Sequence, residues 1–350
     1  MKKSLSIFTI ILVALMLYSC GTSSQVVAKS KNKRPAWMDD PHNAYPARKY
    51  LVAVGAGDTR QDAESIATGN LSRIFESKVK VDHTMQERYK SFSKGTKFVS
   101  EELATTSNEN VNIQSDQSLV NVQFGESYTD KLARIHVIAY IERSTTARIY
   151  AEKINTNSDQ ILSFISKSET VSDPIDKYAF MNAGMIVGFN NQMLLDQMQV
   201  ISPADYRTMN GNKGYKLNDI KDNVSKLARD IKFSVNMKND SEGKVKVLLE
   251  EIISDLNFNL SNNSILKISG KISLESLDLQ RGNLQFYGWE LDIKMTNTAG
   301  DVLITIVEKG REGGLDSAGA KRNSIKQIGK IINKNFKKQL TGYFDGKVVK

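Results

Sequence analysis

The chain contains one cysteine, Cys20, and that fact fixes how any fold must be held together. No intrachain disulfide can form, so packing must stabilise whatever the chain builds. Cys20 closes an N-terminal segment of distinct character. Lys2 and Lys3 start it, an uncharged run from Leu5 to Leu17 follows, and Tyr18-Ser19-Cys20 leads into the small residues Gly21-Thr22-Ser23-Ser24. The run is shorter than the roughly 20 apolar residues a membrane-spanning helix needs. Its basic start, length and small-residue end match the layout of a secretory signal peptide over residues 1–19. No later run approaches membrane length.

Leu17-Tyr18-Ser19-Cys20 resembles the lipobox of a bacterial lipoprotein signal. The resemblance implies cleavage before Cys20, lipid (palmitate among it) on the new N-terminal cysteine, and an exported body anchored to a membrane. Residues 21–34 are polar and lack aromatics, so 20–34 is expected to be the lipidated cysteine plus a flexible tether. In some bacterial groups, acidic residues soon after the lipidated cysteine mark surface export. Gly21 to Ala28 contains none, so the implied location is the periplasmic face of the outer membrane.

Roughly 330 residues would follow the cleavage point, enough for two cores of ordinary size. The full chain carries a formal charge of +9, about +7 without Lys2 and Lys3. Such an excess attracts anionic lipid or acidic glycan, although its spread along the chain also suits a solubilising surface. No compact arginine–aromatic motif supports a nucleic-acid partner.

The pattern predicts an α+β fold: two strand-helix domains, residues 35–143 and 231–342, joined by a helical middle segment, 144–230. In the first, Tyr50-Leu51-Val52-Ala53-Val54 reads as a buried strand ended by Gly55-Ala56-Gly57. Thr59 and Asp62 form a capping pair, and Ala63, Ile66, Ala67, Leu71, Ile74 and Phe75 make one helical face. Alternation predicts strands over 78–82, Val120–Tyr128 and Leu132–Ile141, with a turn at Asp130. Met85–Tyr89 and Ser100–Thr106 read as helical. In the middle, Ser144 caps a helix to about Ser168. Asp173-Pro174 opens a second, to Met198, whose methionines read as adaptable core filler. Asn210–Gly214 is a loop, and Lys216–Ala228 a short helix. The second unit begins near Ile231, turns at Asn239–Gly243 and resumes with apolar residues over Val245–Leu249. Strands follow at Leu266–Leu274, Leu291–Met295 and Val302–Val307. A last helix carries Ile325, Ile328, Ile332, Phe336 and Leu340 on one face and covers that sheet.

Several of these segments together resemble the LPP20-type lipoprotein domain. They are Pro35-Ala36-Trp37, the strand Tyr50 to Gly57, the helix opening Asp62-Ala63-Glu64-Ser65-Ile66-Ala67, and Arg134-Ile135-His136-Val137-Ile138-Ala139-Tyr140-Ile141. The likeness spans residues 35–152. It implies a compact α+β domain of an envelope lipoprotein and supplies no catalytic residue.

Candidate chemistry is sparse. Gly55-Ala56-Gly57 lacks the third glycine of a dinucleotide turn, Arg60 standing in its place. His42, His83 and His136 form no short metal motif. No G-x-S-x-G elbow is present. No cofactor, metal or catalytic residue is therefore assigned, and an enzyme is not expected. The least bland feature is Gly310-Arg311-Glu312-Gly313-Gly314, read as a loop before the basic last helix. Its backbone donors beside Arg311, with Gly313, Gly314, Lys321, Lys326 and Lys330, form a candidate site for an anion or partner. Trp37 and Trp289 are expected to be partly buried. The leading expectation is a noncatalytic structural or protein-interaction role at the envelope, with an envelope protein as partner. The alternative is a binding module for lipopolysaccharide, lipid or cell-wall polymer.

Overall fold

The computed structural model describes residues 34–79, 82–95 and 119–348. Cys20, nearly all of the tether and the helix expected over Ser100–Thr106 lie outside them, as do Lys80 and Val81 of the strand expected at 78–82. The fold is α+β, with two sheet-and-helix regions and a helical stretch between them.

A short helix, α1 (Pro41–Ala44), precedes β1 (Tyr50–Gly57). Gly55-Ala56-Gly57 end this strand as expected, and do so as its last three paired residues. A Cβ on Gly55 would stand 2.2 Å from the Ala63 carbonyl oxygen and 2.3 Å from the Ala67 nitrogen. The missing side chain lets α2 (Arg60–Glu76) lie directly on the strand. Thr59 caps α2: its hydroxyl accepts from the Asp62 N–H at 3.1 Å and donates to the Asp62 carboxylate at 2.7 Å. Ala63, Ala67, Leu71 and Phe75 are buried as expected, whereas Ile66 points to solvent. Val79 is buried outside any strand. The helix read at Met85–Tyr89 is α3 (His83–Gly95).

The strand expected across Val120–Tyr128 is two short pieces, β2 (Gln123–Phe124) and β3 (Tyr128–Thr129). Asn121 is left-handed, with φ 62°, and Gly125 is wedged against Ile138 and Tyr45. Asn121 breaks the strand at its start, whereas Gly125 still donates its N–H to the Ile138 carbonyl at 2.9 Å before the chain leaves the ladder ahead of Tyr128. β4 (Ile135–Glu142) pairs antiparallel with β1 along its whole length, from Tyr50↔Glu142 to Gly57↔Ile135. The turn before it is built by Asp130, whose Oδ1 accepts from the N–H groups of Leu132 and Arg134 at 2.8 and 3.0 Å. Leu132 thus lies in the turn, 81% exposed, instead of in the strand.

The helical stretch comprises α4 (Arg143–Thr170), α5 (Pro174–Ile201), α6 (Pro203–Asn212) and α7 (Leu217–Asp230). Ser144 is not the cap of α4. Glu142 holds that position, and its carboxylate accepts from the Thr145 hydroxyl at 2.9 Å. Asp173 caps α5 as expected, its Oδ1 accepting from Ile175 N–H at 2.7 Å. Asn210–Asn212 belong to α6, so the expected loop shrinks to the residues around Lys213 and Gly214. Arg143 ties this stretch to the first sheet. Its guanidinium donates to the carbonyls of Ala47 (3.0 Å), Val200 (2.8 Å) and Ile201 (2.7 Å). The last two are carbonyls left free at the end of α5, the negative end of the helix dipole.

The second sheet has the order β6-β5-β7-β8-β9. β5 (Lys232–Lys238) runs parallel to β6 (Asn259–Leu260) and β7 (Leu266–Arg281). β8 (Leu284–Asn297) and β9 (Val302–Gly314) continue as an antiparallel meander. Between β5 and β6, one helix, α8 (Lys244–Asp255), takes up Val245–Leu249 together with Ile252 and Ile253 on a single buried face. The basic final helix is α9 (Ser317–Ile331), a π-helical turn (Ile332–Phe336) and α10 (Lys337–Val348). Ile328, Ile332, Phe336 and Leu340 are fully buried against the sheet side.

Two hydrophobic cores result, and α4 and α5 feed both. Tyr150, Ile154, Leu195 and Met198 join Leu71, Phe75 and Ile141 in the first. Ile161, Phe164, Ile186 and Val187 join Phe233, Leu249, Ile293 and Phe336 in the second. Where the two helices cross from one core to the other, Asn191 is fully buried. Its Nδ2 lies within bonding distance of Ser158 Oγ, Tyr215 Oη and the Ile154 carbonyl, at 3.0, 2.9 and 3.2 Å. Polar satisfaction at that crossing holds the helices in one register.

Candidate functional site

The glycines once read as a loop, Gly310 to Gly314, are residues of β9, and each is explained by packing. Trp289 stands directly opposite Gly310, and a Cβ there would lie 2.4 Å from the indole. Phe286 stands opposite Gly313 in the same way, 2.9 Å from such a Cβ. A Cβ on Gly314 would meet the Ala320 nitrogen at 2.3 Å, so that glycine admits the first turn of α9. Aromatic rings covering cross-strand glycines are a known way to fix strand register. Trp289 and Trp37 are both buried, as expected.

The basic residues are dispersed by the same geometry. Arg311 pairs with Gly288 and projects from the face of the sheet that carries Leu277 and Phe286. Lys321 lies on the opposite, helix-covered side, its Nζ 5.2 Å from the Tyr287 ring centroid. The Tyr287 hydroxyl is 2.9 Å from Ser317 Oγ; that hydrogen bond first, and Lys321 after it, lower the tyrosine's pKa. Lys326 and Lys330 are exposed further along α9. The six candidate residues therefore occupy two sides of the sheet.

What gathers on the Arg311 side is apolar. Leu277 lies across Gly288 and Phe286 across Gly313. Beyond them, where β7 and β8 meet, Leu279 and Leu284 are exposed. Gln285↔Gly314 is the last pair of the ladder, which sets Leu315, 84% exposed, next to Leu284. Five large apolar residues thus share the distal end of the sheet, with Arg311 and Lys309 beside them on β9.

A second feature lies between α3, α5 and α7. A cleft of about 180 Å³ has walls of Met85, Met193, Leu217 and Phe189. Gly188 of α5 leaves room for the Leu217 side chain, whose Cδ1 would lie 2.8 Å from a Cβ placed there. Asp196 opens into the cleft, accepting from Gln192 Nε2 at 2.8 Å. Burial pushes its carboxyl above the ordinary range, against smaller opposing effects of Gln192 and Lys213. Among the described residues no cation pairs with it within 4 Å; Lys213 lies over the Tyr215 ring instead, 5.3 Å from its centroid. Lys221 from α7 sits 4.3 Å above the Phe189 ring centroid. This cleft was not legible as a site in the sequence. The available signal was Asp196 itself, the one charged residue between Tyr178 and Ile201.

A wider hollow of about 680 Å³ near Trp37, Tyr45, Arg60, Phe124 and Glu126 is largely open to solvent. Among the described residues no group of three or more His, Cys, Asp or Glu is placed to hold a metal ion. No helix among them is long and apolar enough to cross a membrane.

No family model matches the chain, and no curated protein matches it. Among solved structures it is distantly similar to the secreted protein HP1454 from Helicobacter pylori, at 12% identity and a TM-score of 0.41, over 83% of this chain and 97% of that one. It is also distantly similar to a minor lipoprotein from Acinetobacter baumannii, at 10% identity and a TM-score of 0.23, over 33% of this chain and 92% of that one.

Proposed function

We propose that this chain is a lipid-anchored envelope lipoprotein whose body has a noncatalytic, structural or protein-interaction role. In this reading Cys20 carries the lipid, residues 21–34 are the tether, and residues 35–152 form a domain of the LPP20 type. The body faces the periplasm from the outer membrane. The anchor confines the protein to a surface, which raises the effective concentration of partners held there.

The observation that supports the interaction role is the apolar end of the second sheet. Leu279, Leu284 and Leu315 are exposed beside half-buried Leu277 and Phe286. Contiguous exposed apolar side chains on a folded body mark contact surfaces, whereas single ones do not. Leu132 provides the comparison: as exposed as Leu315 and more so than Leu279 or Leu284, it stands in a polar turn.

The test is purification of the full chain from detergent-solubilised envelopes, with Leu284→Glu/Leu315→Glu and Leu132→Glu run in parallel. A stoichiometric protein partner, lost from the double variant and kept by the Leu132 variant, is the expected result. Recovery of lipid or glycan alone would overturn the reading, as would a partner indifferent to the double substitution.

A further inference from the structure

We propose that the cleft between α3, α5 and α7 is a binding site for a short alkylammonium cation. The ammonium would pair with the Asp196 carboxylate, and the methylene chain would lie against Met85, Met193 and Leu217.

Three independent features converge on that chemistry. The first is space: about 180 Å³ with aliphatic and thioether walls is small for a drug-sized ligand but ample for an amine with a few carbons. Second comes an unanswered charge. Asp196 stands alone in a long uncharged stretch of α5, held by one amide donor and by no cation in contact. A half-buried carboxylate weakens the fold unless something pairs with it. Third, the Phe189 ring already carries a cation: Lys221 occupies its face at 4.3 Å, as a ligand ammonium would. Lys221 is thus an internal competitor. The other titratable groups around the cleft are Asp82 on its rim, at the start of α3, and Lys213 behind Asp196. Asp82 adds to the attraction for a cation, and Lys213 moderates it without entering a salt bridge.

The probes are n-butylammonium and its neutral counterpart butan-1-ol, titrated into the detergent-solubilised full chain and followed by calorimetry and by chemical shifts of methyl-labelled methionines. The amine is expected to bind at least tenfold tighter than the alcohol and to shift Met85 and Met193. Asp196→Asn should weaken the amine by about tenfold or more and leave the alcohol unchanged, because only the charge contact is lost. Lys221→Gln should tighten the amine several-fold by clearing the ring. A matching unfolding midpoint or better for each variant shows that it is folded. Equal affinity for the two probes would overturn the assignment. So would an amine affinity insensitive to Asp196→Asn, or absence of amine binding to Lys221→Gln up to about 10 mM.

Discussion

Arg143 carries a full charge into a place where, among the described residues, no carboxylate meets it. Its guanidinium is answered by three carbonyls, two from the end of α5 and one from the turn before β1. Burial lowers its pKa, as desolvation of a cation must. Arg143→Met is expected to cost about 2–4 kcal/mol in urea unfolding, from lost charge-assisted bonds and stranded carbonyls, and Arg143→Lys to recover only part of it. Glycines separate just as sharply. Gly55→Ala drives a methyl into the backbone of α2 and should cost roughly 1–3 kcal/mol or more. Gly69→Ala in the same helix meets open space and should gain about 0.5–1 kcal/mol. Two carboxylates predict opposite pH behaviour. The Asp130 carboxyl is held low, chiefly by its hydrogen bond to His136 and then by the Arg134 N–H. Its contribution is therefore full above the unfolded carboxyl pKa near 3.9 and is lost as pH falls through the lower folded value. Unfolding midpoints of Asp130→Asn and the parent should differ by a constant amount above about pH 5 and converge in more acid. Asp196, held high, does the reverse: Asp196→Asn should raise the midpoint at pH 7, and the gain should shrink on acidification. Of this set, sequence marked Gly55 beside α2 and Asp130 as a turn, and Asp196 stood out only as a lone charge; the role of Arg143 and the burial of Asp196 were not legible, because burial and stranded charge are properties of the assembled chain.

At the level of elements, the amphipathic helices and the apolar parts of the long strands were readable, although β7, β8 and β9 all run well past the expected bounds, and the departures have definite causes. Period and caps located α2, α5 and α7 because Thr59, Asp173 and the spaced Ile220, Val224 and Ala228 act locally. The segment around Val120–Tyr128 failed because its alternation is broken by backbone at Asn121 and again between Gly125 and Tyr128, which only pairing with β4 reveals. Gly310–Gly314 failed for a related reason: glycine-rich strand and glycine-rich loop look alike until Trp289 and Phe286 are seen to fill the missing side chains. The final helix was found from its apolar stripe, yet its attachment was not. Arg88 of α3 grips Asp345 of α10 through two bonds of 2.5 Å, and Lys347 reaches Asp176 of α5 at 3.3 Å. The Arg88 and Asp345 side chains are largely shielded, so the pair should resist added salt better than a surface pair. A double-mutant cycle on Arg88→Ala and Asp345→Ala should return a coupling of about 1–3 kcal/mol, little changed in 0.5 M NaCl.

For the whole molecule, α4 and α5 oppose separate melting of the two cores, since each helix would have to fray in its middle, α4 near Ser158 and α5 near Asn191. Trp37 and Trp289 report the two ends independently. Fluorescence of Trp37→Phe and Trp289→Phe variants should give urea transitions with one normalised profile once their stabilities are matched; two separated transitions would show that the halves unfold alone. Strand β9 sets a further condition on how many copies can share a small area. It is the outermost strand of its sheet, thirteen residues long, and among the described residues no strand pairs with its outer edge, although the Gly313 carbonyl accepts from Asn323 Nδ2 at 2.8 Å. If two copies zipped together antiparallel about Gly310, Glu308 would face Glu312 and Lys309 would face Arg311, like against like. A β9–β9 seam in that register would thus set like charges against each other in both pairs, and the alternating acids and bases of the strand oppose it.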